Sequence, residues 1–195
     1  MKNFSKFALF ALLVSGFAFT SCENDYDGAP VAKASIYDRL GGTAMVADPN
    51  NSNQMIEKGR LAYRSVVNRT IGLIVADITA NNQGNLSAHF APVLAETGAT
   101  QTASVAALSD SLTDFFSFNT GGTNAVNTYS GRSMAVAHNP ALYARMGAKS
   151  SNANYTRFVG FVGLAANSEG VMMGSELYVD IVAVLESLRG AIVQI

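Results

Sequence analysis

Apolar side chains at Val67, Ile71, Ile74, Val75 and Ile78 recur at intervals of three and four, which predicts an amphipathic helix between Leu61 and Ile78. The β-branched residues in it lower its intrinsic propensity without breaking the pattern. A second stripe, Val105, Leu108, Leu112, Phe115 and Phe116, predicts a helix from about Ala103 to Phe118, ended by Gly121 and Gly122. A third, Tyr155, Phe158, Phe161, Val162 and Ala165, follows the cap sequence "SSNAN". The last helix carries Leu177, Ile181, Val184, Leu185, Leu188 and Ile192.

Shorter elements lie between these. "SIYDRLGG" combines a cap at Ser35, one helical turn and a Gly41-Gly42 stop, and "LSAHFAPVL" at 86–94 reads as an apolar turn closed by Pro92. "ADPNNSNQ" and "TANNQGN" are loops by composition. No alternating strand pattern of comparable length competes, so the predicted fold class is all-α.

With 195 residues, 49% of them hydrophobic and 14% charged, the chain has enough apolar surface for one full core. A formal charge of -1 offers no basic stripe, which argues against nucleic acid as a partner.

Part of the apolar excess sits at the start. Lys2 and Lys6 precede an apolar run from Phe7 to Phe19 that is shorter than the about 20 residues needed to span a bilayer, so it reads as a secretory signal. The only cysteine follows in "FTSCENDYDG", which precludes a disulfide within the chain. This stretch resembles a bacterial lipoprotein signal in which Cys22 is lipidated, and Glu23, Asp25 and Asp27 resemble the export signal of surface lipoproteins in Bacteroidetes. The expected organisation is a signal peptide at 1–21, a flexible tether at 22–34 and a folded domain at 35–195, lipid-anchored in the cell envelope on the periplasmic or outer-membrane surface.

The two histidines are His89 and His138. His138 ends "YSGRSMAVAH", where small residues leave room beside the imidazole for a flat, wide group and Met134 lies one turn back on the same face. A haem suits that setting, because a neutral imidazole supplies an axial nitrogen to iron. Other chemistries lack their patterns: there is no Gly-x-Ser-x-Gly elbow, no phosphate-loop lysine, and no carboxylate at helical spacing beside either histidine for zinc.

"SIYDRLGG", "LSAHF", "DFFSFNTGG", "YSGRSMAVAH" and "LESLRGAIV" occur in the order found in truncated haemoglobins, and over about 35–195 the chain resembles the first group of that family. The resemblance implies a two-over-two helical sandwich around haem b, with His138 as the proximal iron ligand. It places Phe90 against the porphyrin, Met134 on the proximal wall, and Tyr155 and Phe158 among the haem-lining residues. On the distal side it puts Ile71 where many members carry a tyrosine, with Leu108 and Leu112 facing the haem; Tyr63 serves only if the register slips.

Such an apolar distal pocket lacks donors for developing charge, which favours reversible binding of oxygen or another diatomic gas over efficient nitric oxide or peroxide chemistry. Sustained turnover would require an external electron donor. His89 is expected at a solvent-facing turn, with a swing into the sixth position of the iron as the alternative, and Arg132 and Arg189 face either a haem propionate or water. The rival reading is a haem-free or haem-capturing surface lipoprotein on a globin-like scaffold.

Overall fold

The computed structural model describes residues 32–195, so the predicted signal peptide and Cys22 lie outside the described residues. From Ala34 onward the elements are α1 (Ile36–Arg39), β1 (Met45–Asp48), β2 (Asn51–Glu57), α2 (Lys58–Thr79), α3 (Ser87–Leu94), α4 (Gly98–Asn119), α5 (Met134–Ala137), α6 (Asn152–Ser168) and α7 (Glu176–Ile192). Helix α2 is central and packs against both α4 and α6; α6 packs on α7, and α5 rests on α7.

The all-α class, and with it the two-over-two helical sandwich, is overturned by an antiparallel pair. β1 and β2 form a hairpin with Met45 opposite Glu57 and Ala47 opposite Met55, and a bulge between Ala47 and Asp48. The "ADPNNSNQ" stretch, expected to be a loop, supplies its turn and part of both strands. Asp48 explains the turn: its Oδ1 accepts from the Asn50 amide at 2.8 Å, an Asx turn, and both its oxygens accept from the Arg64 guanidinium of α2. Most of the hairpin is exposed, and only Asp48, Ile56 and Glu57 are buried. A strand with so little buried face shows no apolar alternation.

The long helices form close to where periodicity puts them, but their buried faces differ. On α2 the buried stripe is Tyr63, Val67, Thr70, Ile74 and Asp77, while Val75 is 49% exposed. Two of those positions are polar and paired: Thr70 donates to the Val66 carbonyl, and Asp77 is ion-paired with Arg157 of α6. On α4 the buried set is Ser109, Thr113, Phe115 and Ser117, of which the three small hydroxyl residues permit close approach to α2. The predicted caps are in place: Ser35 and Ser151 each accept from a first-turn amide, Ser151 in a capping box with Asn154. Ser175, not singled out from the sequence, caps α7 in the same way.

Gly121 ends α4 with φ +114, a left-handed conformation suited to glycine, and a Cβ there would strike the Ser35 side chain. Its neighbourhood holds a buried polar knot. Tyr37 Oη donates to Glu57 Oε2 at 2.5 Å, Asn127 Nδ2 reaches the same oxygen at 2.7 Å, and Asn124 Nδ2 donates to Oε1 at 2.8 Å. This knot ties α1 and the hairpin to the loop after α4.

Candidate functional site

Helix α5 is a single turn with no buried residue, capped at its end by His138. The Met134 carbonyl accepts from the His138 backbone amide at 3.1 Å and from the ring Nδ1 at 2.8 Å. A carbonyl only accepts, so Nδ1 carries the proton and the lone pair of the neutral ring lies on Nε2. Nε2 has no hydrogen-bond partner among the described residues. Burial pushes the His138 pKa below the ordinary value, the Met134 bond opposes this, and the positive charge available to His89 adds to the lowering. His138 is thus a neutral imidazole with fixed tautomer near pH 7.

His89 is not solvent-facing: it is 7% exposed, and its Nδ1 donates to the Ala148 carbonyl at 3.0 Å. Its own carbonyl accepts from the Gly147 amide at 2.9 Å. Arg132 stacks over the Tyr143 ring at 4.3 Å, and Arg189 pairs with Glu186 and covers Tyr155. Arg132 remains solvent-exposed, and Arg189 is half-buried.

A small apolar cavity of about 40 Å³ lies between α2, α4, α6 and α7, with Tyr63, Val67, Leu112, Phe116, Phe158 and Leu185 in its wall. Of the residues assigned to the haem, only Leu112 and Phe158 line it. Phe90, Met134 and His138 are half-buried on α3 and α5, away from its wall. Ile71 and Leu108 are half-buried and line no part of it. Tyr155 is sealed in the core, with its hydroxyl on the Leu185 carbonyl.

Tyr63, unlike Ile71, lines this cavity, with its hydroxyl on Thr120 Oγ1 at 2.7 Å and its ring stacked on Phe116. Such a space suits a molecule of one or two heavy atoms; a pocket for a drug-sized ligand is roughly 300 Å³ or more. A porphyrin does not fit in this cavity.

No group of three or more histidine, cysteine, aspartate or glutamate side chains able to hold a metal ion occurs among the described residues. Nor is any described helix long and apolar enough to cross a membrane. Comparison with known proteins finds no matching family model, no matching curated protein and no matching solved structure.

The residues that sequence reasoning missed are the backbone carbonyls of Met134 and Ala148, which orient the two imidazoles. The short Met134-to-His138 spacing was the signal for the first. Nothing local pointed to the second, because His89 and Ala148 lie 59 positions apart.

Proposed function

We propose that this chain binds haem b through His138 Nε2 and leaves the opposite face of the iron open to oxygen or another diatomic gas. The observation that carries the proposal is the fixed, neutral imidazole of His138, whose Nδ1 proton is held by Met134 and whose Nε2 is free. That outer hydrogen bond is how proteins orient an axial histidine and raise its basicity. A lone imidazole, with no cluster of metal-binding side chains among the described residues, suits a metal that brings its other ligands with it, as iron in a porphyrin does. The half-buried Phe90 and Met134 offer apolar surface for the macrocycle.

When bound, the haem supplies the iron that holds the gas; the chain orients the imidazole, keeps it unprotonated and shields one face from water. Binding is the function, and redox turnover needs an outside electron donor. Titrating the protein with haemin should produce a Soret band characteristic of histidine ligation, and His138→Ala should abolish that ligation. A protein that stays colourless, or a variant with an unaltered spectrum, refutes the proposal; the first outcome supports a haem-free scaffold, and rapid loss of haem to an acceptor protein supports haem capture.

The same proposal places the domain outside the cytoplasm, tethered through acylated Cys22. Palmitate labelling of the wild-type chain, absent from Cys22→Ala, tests this; equal labelling of neither chain rejects it.

A further inference from the structure

A one-turn helix such as α5 has no stability of its own, because helix nucleation is costly and this turn buries no side chain. Besides the packing of α5 on α7, hydrogen bonds and ring contacts of the surrounding chain aim the His138 ring. Upstream, Tyr129 packs edge-on against Phe115 of α4 and donates its hydroxyl proton to the Arg132 carbonyl at 2.8 Å. In the middle, Gln194 Nε2 donates to the Ala135 carbonyl at 3.1 Å. Directly after His138, the Asn139 carbonyl accepts from the Leu142 and Tyr143 amides, and Arg132 covers the Tyr143 ring, closing the chain around α5.

The downstream end meets α3. Arg145 Nη1 donates to Glu96 Oε1 at 2.5 Å, the Gly147 amide to the His89 carbonyl at 2.9 Å, and His89 Nδ1 to the Ala148 carbonyl at 3.0 Å. Gly147 comes so close that a Cβ there would collide with the Ala88 carbonyl. These contacts join residues 145–148 to α3 and its C-terminal end, and the His89 ring at their centre is buried. A buried imidazole whose only bonded nitrogen holds a loop carbonyl has been placed to hold that loop.

We propose that His89 is a positioning residue for the His138 site, clamping residues 147 and 148 onto α3 and thereby fixing the chain that leads back to the imidazole. The proposal rests on the haem-binding reading of His138. It assigns His89 a role other than iron ligand: its ring is engaged with Ala148.

The test uses the full chain with two substitutions, His89→Asn, which puts an amide nitrogen where Nδ1 stood, and His89→Leu, which removes the donor at similar volume. In haemin-free protein, amide exchange across 139–148 should be unchanged in His89→Asn and faster by about tenfold in His89→Leu, the effect of losing one buried hydrogen bond. With haemin, the electron paramagnetic resonance spectrum should show one axial species in the wild type and His89→Asn, and a mixture in His89→Leu. Wild-type exchange and spectrum in His89→Leu, or failure of His89→Asn to rescue both, overturn the clamp.

If His89→Leu does not fold, Arg145→Met takes its place by cutting the outer ion pair. It should accelerate exchange in the same segment, and unaltered exchange there counts against the proposal. Failure of haemin to bind the wild type, or an identical spectrum in His138→Ala, rejects the parent reading instead, while the haemin-free exchange still decides the clamp.

Discussion

Glu57 shows how much one side chain depends on distant ones. Burial pushes its pKa up, yet the hydrogen bonds from Tyr37, Asn127 and Asn124, with the Arg60 charge, outweigh this and hold it below the usual carboxylate range. Both oxygens accept, and the partners lie 20, 70 and 67 positions away in sequence. Glutamine offers one acceptor oxygen where glutamate offers two, so Glu57→Gln strands a buried donor. Urea denaturation should show a loss of about 1–3 kcal/mol, and an unchanged midpoint would mean that the knot contributes nothing. Nothing in the local pattern marks Glu57 or Asn127 as interior, because a polar residue reads as exposed until its partners are known. The His138 contact is the opposite case: its acceptor, the Met134 carbonyl, is only four residues back.

At the scale of elements, what local chemistry decides was readable. Apolar residues every three or four positions show where the long helices lie, with a serine cap before α6 and a glycine after α4, whereas α2 and α4 begin without any side-chain cap. The faces they bury were less so. On α2 the interior includes Thr70 and Asp77, satisfied respectively by the helix's own Val66 carbonyl and by Arg157 of α6, and a stripe drawn through apolar residues alone comes out rotated toward Val75. That rotation is why Tyr63 enters the interior cavity and Ile71 does not. The hairpin escaped notice because its strands pair mostly through backbone in an exposed position, and backbone bonding leaves no trace in side-chain hydrophobicity.

For the molecule as a whole, buried tyrosines set the alkaline limit. Burial, aided by the hydrogen bond to Glu57, pushes the Tyr37 hydroxyl up to about 12, and burial with the nearby Glu186 charge does the same for Tyr155. Burial also raises Tyr63. An unfolded tyrosine ionises near about pH 10, so these groups contribute stability in full below that pH and lose it as pH rises toward 12. Tyrosinate absorbance followed with helical circular dichroism should show these rings ionising only as the helices melt; ionisation in a fully helical protein would contradict their burial.

By itself the sequence showed where the long helices lie and the serine caps at Ser35 and Ser151, since each follows from interactions spanning a few residues. Only the tertiary structure decided which polar residues go inside, that a hairpin precedes α2, and that His89 faces Ala148. Each of these depends on a partner far away in the chain, and a free energy shared between distant groups is not written at either position.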